Sequence, residues 1–219
     1  YFVKPADFEK LTAYKKSLVV GRKGSGKSAI LKKLTAECSP PNNPKSLACE
    51  VRPTQELLIG IDNDRDLQTG FGEEIFFKFA WLSLLYRKMF GLVGSSLGGK
   101  FTTSSLEKAR QFARDRGQAN CDILETTSSL LQRLKVKAGK LGDFGLDIGK
   151  VLTTAIDADA FEFHFRSIAE NDFQLVFLID DVDHCWNNSV ASNALVRGLL
   201  SASRHLDSLH PNIHTFVFL

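Results

Sequence analysis

The sequence lacks the features that mark several common protein classes. Its four cysteines lie far apart and form no C-x-x-C pair, so neither a zinc site nor a disulfide framework is indicated. The most apolar run, residues 79–86, is far shorter than the roughly 20 residues of a membrane span. No signal peptide is present at the start of the sequence. We therefore expect a protein of the reducing cytoplasm that has no membrane partner.

The sequence also lacks a large excess of either positive or negative charge. The net charge is +3 over 219 residues, which by itself identifies neither a nucleic acid nor a membrane as a partner. The hydrophobic content of 43% is ample for a packed core of one large domain. Because the chain begins at Tyr1 without methionine and stops inside an alternating apolar run, we expect it to be a fragment.

Strand and helix patterns alternate along the chain, which predicts an α/β fold with a mostly parallel sheet flanked by helices. One domain spans 1–219, with a helical insertion over about 73–170, after the second strand. A Gly/Ser stretch at 91–105 predicts a flexible connector, and 137–150 fits either a hairpin or a mobile loop. Strands are predicted over 16–21, 46–52, 175–179 and 214–219, and helices over 27–37, 73–90, 105–116, 123–134, 161–172 and 189–208.

One glycine-rich segment carries a specific pattern. Residues 19–30, VVGRKGSGKSAI, match G-x-x-x-x-G-K-[ST], with Gly21 and Gly26 as the two glycines, followed by Lys27 and Ser28. A random chain of this length contains the pattern about one time in a hundred. Here it also lies between a predicted strand and a predicted helix, which is the context that the pattern requires.

This pattern predicts a site for a nucleoside triphosphate. Backbone N–H groups of such a turn surround phosphate oxygens, helped by the N-terminal end of the following helix. Lys27 is expected to reach the β and γ phosphates, and the Ser28 hydroxyl to ligate Mg²⁺. The predicted binding residues are Gly21, Arg22, Lys23, Gly24, Ser25, Gly26, Lys27, Ser28 and Ala29.

A second segment supplies carboxylates. The apolar run 175–179 predicts a strand buried on both faces, and it ends abruptly in acidic residues. Mg²⁺ prefers oxygen ligands, and a carboxylate at the carboxyl end of a neighbouring strand is the usual second anchor, so Asp180 is the candidate metal ligand. Asp181 is the candidate catalytic residue that orients or deprotonates the attacking water. Asp183 and His184 are expected to cap the next turn or to contact the rest of the chain, and not to form a transition-metal site.

Together, GRKGSGKSAIL and LVFLIDDVDHCW resemble the P-loop ATPases of the additional-strand class, particularly the STAND-type signalling ATPases and their prokaryotic relatives. In that family a hydrophobic strand ends in two acids, a hydrophobic residue and another acid, as in residues 180–183 here. The resemblance implies a P-loop NTPase fold, ATP binding, slow hydrolysis assisted by Lys27, and ATP-dependent self-association that switches an attached effector or sensor domain. Several prokaryotic relatives serve in phage defence.

The sequence departs from the family pattern at one site residue. The usual glutamate after the first acid is Asp181 here, one methylene shorter, so hydrolysis is expected to be slow. The resemblance also implies an arginine finger from a neighbouring subunit. Arg197 and Arg204 are the first candidates, the alternative being a solvated helix face, and Arg22 and Lys23 are further candidates to contact phosphate or a partner.

Two other functions stay open from the residues alone. The same site fits a non-catalytic assembly module in which ATP orders a subunit interface. Between Lys100 and Lys140 there are nine basic and four acidic residues, which fits a solvated helical face or, less well, a nucleic-acid surface. ATP is favoured over GTP because the sequence has no N-K-x-D stretch.

Overall fold

The computed structural model describes residues 8–14, 17–22, 24–52, 73–96, 103–116, 152–154, 156–182 and 188–219. The predicted helix 123–134 and the undecided stretch 137–150 lie outside the described residues, as do Lys23, Asp183 and His184.

Strands and helices alternate over most of the described chain, in the predicted order. Strands are β1 (Leu18–Val19), β2 (Ser46–Val51), β3 (Gln174–Ile179) and β4 (Ile213–Phe218). Helices are α1 (Phe8–Thr12), α2 (Lys27–Glu37), α3 (Glu73–Ser96), α4 (Ser104–Arg116), α5 (Ala158–Ala169) and α6 (Val190–Asp207).

The four strands form one sheet in the order β1-β4-β3-β2, and every neighbouring pair is parallel. One row of paired residues crosses the whole sheet and consists of Leu18, Val217, Ile179 and Val51. The carboxyl ends of all four strands therefore meet at the same edge, which we call the carboxyl edge. The prediction of an α/β fold with a parallel sheet flanked by helices is confirmed.

Both faces of the sheet are covered, which explains the continuous apolar run of β3. Val176 and Leu178 are buried in a core that also contains residues of α1 and α2. Leu175, Phe177 and Ile179 are buried on the other face, in a larger core built with α3, α4, α5 and α6. The helix α2 that follows the glycine-rich segment thus lies on the first of these faces.

The flexible connector predicted over 91–105 is wrong for residues 91–96 and 104–105, and residues 97–102 lie outside the described residues. Helix α3 continues to Ser96, and α4 begins at Ser104. Gly94 is a packing position, because a β-carbon there would overlap the backbone carbonyl of Ala109 and crowd the side chain of Ala113. The glycine allows α4 to approach α3 closely, so it contributes contact area and not flexibility.

Gly94→Ala is expected to lower the free energy of unfolding by about 1–3 kcal/mol, because an added methyl group has no space between α3 and α4. Gly91→Ala is the matched control. A β-carbon at Gly91 would lie 3.9 Å from Phe112, an ordinary contact, and alanine in a helix interior is favoured over glycine by about 0.5–1 kcal/mol. Urea unfolding measures both; equal stability of the two variants would contradict this packing.

Candidate functional site

The glycine-rich segment forms a turn between β1 and α2. Gly24 and Gly26 have φ angles of 84° and 89°, a left-handed conformation that glycine adopts without steric cost. No described atom lies within 4 Å of a β-carbon built on either glycine. Both the backbone angles and the open space around the turn are those that a close approach of a ligand to the main chain requires.

Helix α2 begins at this turn without a side-chain cap. Gly26 occupies the cap position, and its carbonyl accepts hydrogen bonds from the N–H groups of Ala29 (3.0 Å) and Ile30 (3.1 Å). The first N–H groups of a helix point out of its N-terminal end, where they and the helix dipole favour an anion. The turn therefore presents a positively polarised end of α2 at the carboxyl edge.

Lys27 and Ser28 stand at the start of α2. The Lys27 ammonium group donates a hydrogen bond to the carbonyl of Gly21 at 2.5 Å, so its side chain folds back across the turn. The Ser28 side chain is exposed. The N–H of Gly21 donates to the carbonyl of Leu219 at 3.0 Å, which ties the start of the turn to the end of β4.

The rest of the predicted turn residues have local roles. The Ser25 N–H donates to the carbonyl of Arg22 at 3.0 Å, which closes the turn. A β-carbon on Gly21 would lie 2.5 Å from the Ser25 hydroxyl oxygen. Arg22 is exposed, and Ala29 lies in the first turn of α2.

Asp180 and Asp181 follow β3 at the same edge. The Asp180 N–H donates to the carbonyl of Val51 at 3.0 Å, which continues the ladder one residue past the strand. Asp180 is only 2% exposed, whereas the Asp181 side chain is 37% exposed. Asp181 has a φ of 63°, a left-handed conformation that is uncommon for residues with a side chain and is enriched at functional sites.

The glycine turn and Asp180 share one edge and one face of the sheet. The strands β1 and β3 are separated only by β4, that is, by two strand spacings or about 10 Å. Side chains alternate along a strand, so Asp180 faces the same side as Val176 and Leu178, the side covered by α2. Lys27, Ser28 and Asp180 are thereby brought to the same side of the carboxyl edge.

Arg52 is a residue of the candidate site that the sequence patterns did not identify. Its guanidinium lies 3.9 Å from carboxylate oxygens of both Asp180 and Asp181, and 3.7 Å from a Glu50 oxygen. Arg52 comes one residue after β2, in register with Asp180, which follows the paired residue Ile179. Recognising that β2 and β3 are parallel neighbours is the step that would have identified it from sequence.

The two candidate arginine fingers lie on α6. Arg197 Nε is 3.7 Å from a Glu74 carboxylate oxygen, and both side chains are more than half exposed. Arg204 is exposed and lies in the last turn of α6, which leads back toward the opposite edge of the sheet. Neither contacts the acids within this chain in any described interaction, and a role toward a neighbouring subunit stays a prediction.

The oxygen donors at this edge suit magnesium. Asp180 supplies a carboxylate and Ser28 a hydroxyl, both hard ligands of the kind that Mg²⁺ prefers. No cluster of three or more His, Cys, Asp or Glu side chains able to hold a metal occurs among the described residues. An ion bound here would take most of its ligands from phosphate oxygens and water, which is the usual coordination of Mg²⁺ beside a nucleotide.

The cysteines of the described chain belong to the core. Cys38 and Cys49 are both buried free thiols. Burial raises the pKa of Cys49 to about 12 and also raises the pKa of Cys38. Since the thiolate is the nucleophile and the metal ligand, these neutral thiols are structural.

Comparisons of the chain with protein-family models, curated proteins and solved structures found no match. Within the described ranges, no helix is both long and apolar enough to cross a membrane. Function is therefore inferred from the site geometry together with the sequence patterns.

The left-handed backbone at Asp181 predicts an unusual order of stability. Asp181→Gly should be more stable than Asp181→Ala by about 1 kcal/mol, because glycine accepts a positive φ and alanine does not. Both variants lose the same contacts of the carboxylate, so the difference isolates the backbone. The same two substitutions at Gln111, an exposed residue in the interior of α4, should show the reverse order. Denaturant unfolding measures the stability of each variant. If Asp181→Ala is more stable than Asp181→Gly, the left-handed conformation assigned to this residue is refuted.

Proposed function

We propose that this chain is a P-loop ATPase domain that binds ATP with Mg²⁺ and hydrolyses it slowly. The observation that carries the proposal is the meeting of two features at one edge and one face of the sheet. These are a glycine turn that opens a helix N-terminus and a buried carboxylate, Asp180, two strands away. Crevices at the carboxyl ends of parallel strands are the usual ligand sites of open α/β sheets.

The strand order is compatible with the proposed P-loop fold. Strand β4 lies between β1, which leads into the glycine turn, and β3, which ends in the acids. The glycine turn and the acids are thus separated by a single strand.

Each site residue has a specific task in the proposed reaction. The amides of the turn and of the first residues of α2 hold the phosphates, and Lys27 exchanges its contact with the Gly21 carbonyl for the β and γ phosphates. Ser28 and Asp180 hold the magnesium ion, which when bound neutralises phosphate charge. Asp181 orients or deprotonates the attacking water.

Slow turnover is expected from the geometry of Asp181. Its carboxylate is held one methylene closer to the main chain than a glutamate would be, and it lies 3.9 Å from the Arg52 guanidinium. A short side chain on a left-handed residue has few ways to reach a water beside the γ phosphate. A base that seldom reaches its water gives a low rate even when ATP is bound.

The resemblance to the STAND-type ATPases also suggests a cellular role. We propose that ATP controls self-association of this domain within a larger cytoplasmic protein and thereby switches an effector or sensor domain, in phage defence or a related response. The support is the similarity of residues 21–31 and 175–186 to the STAND-type ATPases.

Lys27→Ala should abolish detectable Mg²⁺-dependent ATP binding, because the ammonium group that neutralises the phosphates is lost. Binding of a fluorescent ATP analogue measures this by titration. Lys32→Ala is the matched control, since Lys32 is exposed on the same helix one turn further along. Equal binding by both variants would exclude the proposed site.

Asp181→Asn should reduce the rate of ATP hydrolysis at least about tenfold while ATP affinity changes little, because the amide cannot accept a proton from water. Asparagine also tolerates the left-handed backbone. Asp115→Asn, an exposed carboxylate on α4, serves as the control.

Phosphate release and ATP binding are measured on the same preparations of both variants. Binding without turnover in the parent chain would favour the non-catalytic assembly module. Turnover in Asp181→Asn equal to that of the parent would show that another group positions the water.

A further inference from the structure

Arg52 contacts three carboxylates at the carboxyl edge. Its two terminal nitrogens divide between the acids: Nη2 lies 3.7 Å from Glu50 and 3.9 Å from Asp180, and Nη1 lies 3.9 Å from Asp181. The fixed fork of the guanidinium suits such a split between two neighbouring acceptors. One cation therefore bridges both acids to which the proposed reaction assigns a role.

These contacts are charge contacts and not close hydrogen bonds. Distances of 3.7–3.9 Å exceed the usual N–H···O range, which ends at about 3.2 Å. Arg52 is 45% exposed, so its side chain has solvent on one side and room to move. Asp180 in contrast is 2% exposed, and a buried carboxylate is costly without a cation beside it.

The register of β2 and β3 explains why Arg52 lies beside these acids. Val51 pairs with Ile179, and the next residues of the two parallel strands are Arg52 and Asp180. On the face that carries α2, the Thr35 hydroxyl donates to Glu50 at 2.7 Å, which fixes that carboxylate beside the arginine. In the described contacts, Glu50, Asp180 and Asp181 therefore all lie within 3.9 Å of the same guanidinium.

We infer that Arg52 is a positioning residue that competes with the divalent cation for Asp180. With no ion bound, the guanidinium balances the buried charge of Asp180 and holds Asp181 in place. When the ion binds with ATP, Arg52 gives up its contact with Asp180. This inference rests on the proposed function, because it assigns the ion to Asp180.

Removing the positive charge should therefore strengthen metal binding. We expect Arg52→Gln to bind Mn²⁺ alone about fivefold more tightly than the parent chain, the scale of a partly exposed ion pair. Free Mn²⁺ is measured by electron paramagnetic resonance during titration of the protein without nucleotide. Arg114→Gln, an exposed arginine on α4, removes the same charge away from the site and should leave the affinity unchanged.

Two further variants localise the effect. Arg52→Met keeps the apolar stem without the charge and should show the same gain; it also replaces Arg52→Gln if circular dichroism shows that the glutamine variant is not folded. Adding Asp180→Asn to Arg52→Gln should remove the gain, because the shared carboxylate is lost. An unchanged or weaker Mn²⁺ affinity in the folded Arg52 variants would overturn the inference.

Failure of this inference is distinguishable from failure of the proposed function. ATP binding by the parent together with an unchanged Mn²⁺ affinity in Arg52→Gln would refute the role of Arg52 and leave the ATPase proposal intact. Absence of ATP binding by the parent would refute the ATPase proposal and with it the competition during nucleotide binding, whatever the Mn²⁺ titration shows.

Discussion

Parallel register is the constraint on which the rest of this structure depends. Leu18, Val217, Ile179 and Val51 lie in one row across four strands, so every strand ends within a residue or two of the same line. Neighbouring backbones in a sheet are about 4.8 Å apart. Groups that are far apart in sequence, such as the glycine turn and the two acids, are thereby held within a few strand spacings.

Burial on both faces of the sheet determines where charge is allowed. The core strand β3 is apolar from Leu175 to Ile179 because α2 covers one face and the larger helical core covers the other. Its first charged residue is Asp180, at the point where the ladder to Val51 ends. Asp180 stays 2% exposed even so, and the nearby Arg52 reduces the cost of burying its charge.

Glycine serves two different physical purposes in this chain. In the turn before α2, Gly24 and Gly26 provide left-handed backbone angles and leave the space beside the main chain open. In α3, Gly94 provides room for the carbonyl of Ala109 on a neighbouring helix. The connector prediction was wrong at residues 91–96, because composition does not distinguish a glycine that bends the chain from one that makes room for a packing partner.

Local patterns were sufficient to determine the alternating strands and helices, the glycine turn and the acids that end β3, because each depends on residues close together in sequence. Helix α2 was predicted with the bounds that it has, and β3 to within one residue. The strand order, the shared face of Ser28 and Asp180, the left-handed backbone of Asp181 and the contacts of Arg52 were decided only by the tertiary structure. Their physical reason is the same in each case: which strand lies beside which is set by the packing of helices on two faces, and that packing joins residues whose separation in sequence leaves no local trace.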